Sequence, residues 1–309
     1  MHGGAGSRTP PGWSAEQVAV RERAIAGALE VGHRILANGG TALDAVQAAI
    51  VVLEDDSLFN AGRGAVLTAE GRAELDAALM NGPDLRVGAV AGITRAKNPI
   101  MLARAVMDRS EHVMMIGDGA EQFGRQVGIE LVEPGYFITA AAVRSLEAER
   151  AAERRRDSLA NRPPQGASAG DGGSYFGTVG AVALDRQGRL AAGTSTGGRT
   201  NKRYGRVGDV PIIGAGTYAN PYCAVSATGH GEWFIRYTVA RDICARVENG
   251  MSLAASADSI LFGIFDPIPV DGGTIALDSR GNVAMTFNSA TMPRGWIGPD
   301  GRPTVRATR

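Results

Sequence analysis

The sequence predicts an α+β fold in which two sheets pack against each other with helices outside. Three observations predict it. The first half is rich in helical segments with clear start and stop signals. The second half opens and closes on hairpin patterns. The strand-like runs are apolar and need cover.

In order, Ser14 with Gln17 makes a capping box for a helix running to Ala37, and Asn38-Gly39-Gly40 stops it. Thr41 with Asp44 opens a second helix, "ALDAVQAAIVVLE", apolar on most faces and therefore buried. "LEDDSLFNAGRGAVLT" reads as a loop leading into a strand, and "AELDAALM" and "RVGAVAGI" as strands. "NPIMLARAVMDRS" is a helix with Pro99 in its first turn. "HVMMIG" is a short strand, "DGAEQFGRQVG" a short helix, and "TAAAVRSLEAERAAERRR" a charged helix whose "ERRR" is expected to be a solvated end. Residues 157–177 then turn rich in Pro, Gly, Ser and Ala, the composition of a flexible linker. Beyond it, "TVGAVALDRQGRLAAGTS" and "GTIALDSRGNVAMTFNS" are hairpins sharing A-L-D-x-x-G as turn signal. Between them "VPIIGAGTYA" and "YCAVSATG" read as strands, and "GEWFIRYTVARDICARVEN" and "SLAASADSILFGI" as helices.

The 309 residues carry 32 basic and 32 acidic side chains, so the net charge is +0, without the basic excess of a nucleic-acid binder. No run approaches the ~20 apolar residues of a membrane span. The opening "MHGGAGSRTPPG" has no apolar h-region, so the cytoplasm is the expected location. Cys223 and Cys244, the only cysteines, match no zinc or redox spacing and are expected as two free, buried thiols.

Three motifs compete for an active site. "GTSTG", Gly193 to Gly197, matches G-x-S-x-G, but the polar, glycine-broken "GRTNKRYGRVGD" follows where a nucleophile elbow needs a helix. "GAGTYA", Gly214 to Ala219, imitates a dinucleotide-binding turn, but Asn220-Pro221 follows in place of a helix. The third is Thr178, where the linker runs without a turn into an apolar strand. A strand threonine with a satisfied hydroxyl is the plain alternative. Cutting the Gly177–Thr178 bond would free an α-amino group on the residue that carries the hydroxyl. That amine, with a reference pKa of about 7.7–8.0, serves as base without any catalytic histidine.

The ordered set "HGGAG", "LFNAGRGAV", "ELDAALM", "HVMMIG", "GTVGAVALD", "AAGTSTGG", "GRVGD", "GAGTYAN" and "TGHGE" resembles the plant-type L-asparaginases, also called isoaspartyl aminopeptidases or β-aspartyl peptidases. The resemblance covers His2 to about Ser289 and is looser beyond. It implies a four-layer αββα sandwich of the Ntn-hydrolase type, made as one precursor of residues 1–309. Self-cleavage then leaves an α chain, 1–177, and a β chain, 178–309. Thr178 is implied as nucleophile and Thr196 as the threonine that orients it, while Asn60 lies close by. Arg206 and Asp209 are implied to grip the substrate's α-carboxylate and α-ammonium, matching a forked cation to a carboxylate. Thr228 and Gly229 are implied as the oxyanion hole, Gly229 also bordering the substrate. His230 is expected to start a helix and not to act as a base.

The resemblance further implies a structural sodium ion held by backbone carbonyls of Leu53, Glu54, Asp56, Phe59, Ala61 and Arg63, with no cofactor for catalysis. It implies a dimer of αβ heterodimers acting on L-asparagine and β-aspartyl (isoaspartyl) dipeptides. Glycosylasparaginase, threonine aspartase and a non-processing inactive homologue are the alternatives. The family has a short apolar strand ahead of "HGGAG", where here Met1 alone precedes His2. The expectation is a truncated start or a sheet that lacks an edge strand.

Overall fold

The computed structural model describes residues 1–6, 12–160 and 177–309. Most of the expected linker, 161–176, lies outside the described residues, whereas residues 157–160, read as linker, continue the preceding helix.

The helices of the first half form where their caps place them. α1 (Ala15–Ala37) starts on the reciprocal Ser14–Gln17 capping box, and α2 (Ala42–Glu54) starts on Thr41, whose side chain accepts the Asp44 amide. β1 (Leu75–Asn81), β2 (Val87–Ile93), α3 (Pro99–Arg109), β3 (Met114–Ile116), α4 (Gly117–Gln126) and α5 (Ala140–Ala160) follow. The second half contains β4 (Val179–Leu184), β5 (Leu190–Thr196), β6 (Thr217–Ala219), β7 (Cys223–Gly229), α6 (Gly231–Arg236), α7 (Val239–Glu248), α8 (Leu253–Asp258), β8 (Gly272–Asp278), β9 (Val283–Phe287), β10 (Thr291–Ile297) and β11 (Pro303–Thr308).

Among the described residues one sheet runs β3-β2-β1-β5-β4 and the other β6-β7-β8-β9. The sheets face each other through Met80, Leu190, Ala192, Ala219 and Ala224. α2 and α3 cover the outer face of the first sheet, and α7 and α8 that of the second. This is the αββα sandwich. Both hairpins turn on the same device: Asp185 Oδ1 accepts the amides of Gln187 and Arg189, and Asp278 Oδ1 those of Arg280 and Asn282.

Four expectations are corrected. First, the N-terminal segment does not lie at a sheet edge: residues 1–3 fill an interior gap of the first sheet. His2 exchanges both backbone hydrogen bonds with Gly180, at 2.9 and 3.0 Å. On the other side the Gly3 amide donates to Pro293 and the Gly295 amide to Met1, so the sheet extends through β10 and β11. Second, "VPIIG" is not strand. It coils so that the Ile212 and Gly216 amides both donate to the Asp209 carbonyl, and strand begins only at Thr217. A short apolar run signals burial, which a turn satisfies as well as a strand does. Third, "GEWFIRYTVARDICARVEN" is two helices. Thr238 sits at φ 45°, and the first amides of α7, Ala240 and Arg241, donate to Ala215 and Gly214 carbonyls instead of to a preceding helical turn.

Fourth, Cys223 and Cys244 are a disulfide, not free thiols, joining the start of β7 to α7 with Cα atoms 5.3 Å apart. Sequence spacing carried no sign of it, because the pairing depends on α7 lying over β7. Closing a loop with a sequence separation of 21 is worth about 3 kcal/mol of unfolded-chain entropy. A Cys223→Ser, Cys244→Ser double variant is therefore expected to melt several degrees lower. Alkylation of the parent in denaturant should label neither cysteine before reduction and both after.

Candidate functional site

The site forms where the two sheets part. Residues two apart on a strand share a face. On β5, Thr194 turns inward and bonds to Ser226 Oγ on β7 at 2.7 Å, so Thr196 points into the same cleft one step further out. The β4–β5 register pairs Val179 with Ser195 and so sets Thr178 beside Thr196. Their hydroxyls are 3.2 Å apart. Ser195, on the opposite face, donates to Glu54 Oε1 at 2.6 Å, which fixes β5 from below. Burial pushes the Glu54 carboxyl up to about 8.

The bond expected to break is gripped. The Gly177 carbonyl oxygen accepts from Asn60 Nδ2 at 2.7 Å and from Thr196 Oγ1 at 3.1 Å. The Asn60 carboxamide is itself fixed, donating to Gly198 O at 2.7 Å and accepting the Val66 amide at 2.9 Å. Thr196 Oγ1 accepts the Gly198 amide at 2.9 Å, so its single proton is directed to Gly177. Two donors on one carbonyl oxygen polarise it toward attack by the adjacent Thr178 hydroxyl.

The N-terminal segment joins the nucleophile to the oxyanion candidates. Ala5 N donates to Thr228 Oγ1 at 3.0 Å, which leaves the Thr228 hydroxyl proton for another acceptor. His2 contacts Ser226 Oγ at 3.0 Å, and burial pushes its imidazole down to about 3, so it stays neutral. Gly4, at φ +102°, lies against the cleavage site: a Cβ there would fall 2.7 Å from both Gly177 Cα and Thr178 N. Gly4→Ala is expected to slow self-cleavage by about tenfold or more, since ~1.4 kcal/mol of displacement already costs that factor; a denaturing gel of protein sampled over time measures it.

Arg206 and Asp209 close the other side. Asp209 is buried, its Oδ2 has no hydrogen-bond partner, and burial pushes the carboxyl up to about 7. Arg206 Nε donates to Glu232 Oε1 at 2.9 Å. The two side chains share Gly231, where a Cβ would fall 2.9 Å from Asp209 Oδ1 and 2.9 Å from Arg206 Nη2. Gly229, at φ +150°, ends β7 just before them. His230 occupies the N-cap position of α6, as expected, but its side chain makes no cap bond; its Nδ1 instead accepts the amide of the distant Asp271 at 3.1 Å. "ERRR" is more than a solvated end: Glu153 takes Arg203 in a two-pronged pair at 2.7 and 2.8 Å and anchors the loop carrying Arg206.

Thus Thr178, Thr196 and Asn60 meet at the Gly177 carbonyl, Ala5 ties Thr228 to the segment beside them, and Arg206 reaches Gly198, where a Cβ would fall 3.5 Å from its Nη1. The sequence reading missed the parts of Gly4, against the cleavage site, and of Glu232, which pairs with Arg206. Gly4 and Glu232 stand inside the quoted motifs "HGGAG" and "TGHGE", which held a sign of both.

The six expected sodium ligands run from the last turn of α2, which holds Leu53 and Glu54, into a 3-10 turn at Gly62–Gly64, which holds Arg63. A Cβ at Gly62 would run into the Glu54 carbonyl, and one at Gly64 into that of Phe59, so the loop folds tightly over its own carbonyls. The carbonyls of Asp56, Phe59 and Ala61 each accept one backbone amide and retain a second lone pair. This donor set of neutral oxygens fits a hard monovalent cation.

A threonine heading a strand at the mouth of an αββα sandwich is the arrangement of an N-terminal-nucleophile hydrolase. Comparison with known proteins narrows this. The asparaginase family model matches residues 1–306, and the chain belongs to that family. It is 45% identical to the isoaspartyl peptidases of Salmonella typhimurium and Escherichia coli over 307 residues, covering 99% of this chain and 96% and 94% of theirs. It is 41% identical to the Bos taurus isoaspartyl peptidase/L-asparaginase over 294 residues, 95% of this chain and 90% of that one.

Proposed function

We propose that this protein cuts itself between Gly177 and Thr178 and then hydrolyses the side-chain amide of L-asparagine and of β-aspartyl dipeptides, releasing aspartate. The observation that carries the reading is the Gly177 carbonyl held by Asn60 and Thr196 beside the Thr178 hydroxyl. The names of the relatives support the substrate class.

In maturation, Thr178 Oγ1 attacks the Gly177 carbonyl carbon, whose oxygen is received by Asn60 and Thr196. The C–N bond breaks, the amine of Thr178 takes the hydroxyl proton, and water hydrolyses the resulting ester. The products are an α chain, 1–177, and a β chain, 178–309, which stay packed because their shared core is unchanged. In turnover, Arg206 and Asp209 hold the aspartyl head group. The Thr178 amine takes the proton of its own hydroxyl, and Oγ1 attacks the side-chain carbonyl. Thr228 and Gly229 receive the oxyanion. The amine returns the proton to the leaving nitrogen, releasing ammonia or an amino acid. Water, deprotonated by the same amine, then splits the ester and restores Thr178.

Carbonyls of Leu53, Glu54, Asp56, Phe59, Ala61 and Arg63 would hold a sodium ion, which would tie the loop carrying Asn60 together. Exchanging sodium for a bulky organic cation is expected to lower the melting temperature by a few degrees, read by calorimetry. No described helix is long and apolar enough to cross a membrane. A cytoplasmic dimer of αβ heterodimers completes the reading.

Side-by-side assays of L-asparagine, a β-aspartyl dipeptide and glycosylated asparagine test it. Aspartate from the first two is expected. Turnover of glycosylated asparagine alone would favour a glycosylasparaginase, and a matured protein that hydrolyses none of them would overturn the reading.

A further inference from the structure

Lys202 lies in a setting that lysines avoid. Its side chain is 2% exposed, and a lysine is almost never buried without partners. Nζ donates to the Glu74 carbonyl oxygen at 2.9 Å and lies 4.0 Å from the Glu74 carboxylate. The other carboxyl near it is Asp76, fully buried on β1 directly across the ladder from Thr196; burial pushes it above the ordinary carboxylate range and the Lys202 ammonium draws it back. Asp76 Oδ1 accepts the Gly92 amide at 2.9 Å, while its Oδ2 has no hydrogen-bond partner. From Lys202 a run of short steps reaches the nucleophile. A Cβ at Gly198 would fall 3.1 Å from Nζ, the Gly198 amide donates to Thr196 Oγ1 at 2.9 Å, and Thr196 Oγ1 is 3.2 Å from Thr178 Oγ1.

We propose that Lys202 is a positioning residue: its buried ammonium braces the Gly198 turn under Thr196 and, by its charge, keeps the freed Thr178 amine unprotonated, with Asp76 moderating that charge. This rests on the reading of the Thr178 amine as base. Bracing a turn needs only the apolar stem, and burying a charge for that alone is costly. A cation in a low-dielectric site acts over several ångströms and disfavours a second positive charge.

The other ionisable groups around the amine do not replace it. His2 is held neutral by burial. Glu54 lies beneath β5, on the far side of Ser195. Arg206 is paired with Glu232, and Asp209 is reserved for the substrate. Lys202 and Asp76 are the opposed pair that substrate binding leaves in place.

The test is the pH dependence of kcat at saturating substrate, on matured enzyme, for the parent and for Lys202→Met, Lys202→Arg and Asp76→Asn. The acidic limb of kcat reports the substrate complex, in which Asp209 is engaged. Lys202→Met is expected to move that limb up by ~0.5–1 pH unit and Asp76→Asn to move it down. Lys202→Arg should leave it where the parent has it. A Lys202→Met enzyme with lowered kcat but an unmoved limb overturns the proposal, as do two shifts in the same direction. Should Lys202→Met fail to mature, Asp76→Asn decides alone, a downward shift supporting the proposal and an unmoved limb overturning it. A parent chain that neither matures nor hydrolyses asparagine refutes the functional reading itself and takes this proposal with it.

Discussion

A Thr178→Ala chain is expected to remain whole, at 32.1 kDa, under conditions in which the parent separates into two fragments with the second beginning at Thr178. The alanine removes the attacking oxygen and nothing else that holds the site. Asn60 still donates to the Gly177 carbonyl and to Gly198 O, and Thr196 still donates to Gly177. The fold should therefore survive, and thermal melting should change little. Hydrolysis of asparagine should fall by at least ~10³-fold, because the nucleophile and its own amine are lost together. Thr178→Ser keeps an oxygen and should still cleave. Intact mass under denaturing conditions reads all three. A Thr178→Ala chain that still divides would place the cut elsewhere or assign it to another protease. A parent that stays whole after long incubation would make this a non-processing relative.

Much of this geometry was legible in the sequence because it is local. The A-L-D-x-x-G turn fixes the β4–β5 register, and that register sets Thr178 beside Thr196. The capping box at Ser14 fixes where α1 starts. What could not be read depends on contacts between distant segments. Cys223 meets Cys244 only because α7 lies over β7. Residues 1–3 become an interior strand only because β4 and β10 leave a gap one strand wide. Lys202 stands in a polar run, "RTNKRYGR", that gives no sign of burial. Its stem threads beneath Gly198 because Gly198 has no side chain to stop it. The glycines at 4, 62, 198 and 231 were visible as letters, but what each admits (a scissile bond, a helix end, a lysine, a charge pair) is a property of the assembled site.

Besides the limb that the Thr178 amine gives to kcat, the kcat/KM for asparagine is expected to show an additional limb near pH 7. Asp209 sets that limb. Burial pushes its carboxyl up to about 7, so in the free enzyme at pH 6 it is largely protonated. A substrate ammonium binds the ionised form only, hence affinity grows as pH rises through that value. The backbone cannot retreat to relieve the strain of a buried charge, because the Ile212 and Gly216 amides both hold the Asp209 carbonyl. Asp209 Oδ2 is buried and without a hydrogen-bond partner, so on the proposed function it is the acceptor expected to take the ammonium. Opposite it, Glu232 occupies Arg206 Nε and leaves the two terminal nitrogens as a fork for the α-carboxylate. Asp209→Asn should abolish the limb near 7 and raise KM by ~30-fold or more, the ~2 kcal/mol lower bound for breaking a buried charge pair. Arg206→Ala should raise KM similarly. In neither case should self-cleavage fail, since the donors on the Gly177 carbonyl are Asn60 and Thr196. Unchanged KM in the Arg206 variant, or a limb that survives in Asp209→Asn, would remove these residues from the substrate's head group. Lost self-cleavage in both would instead make them part of the frame that holds the precursor.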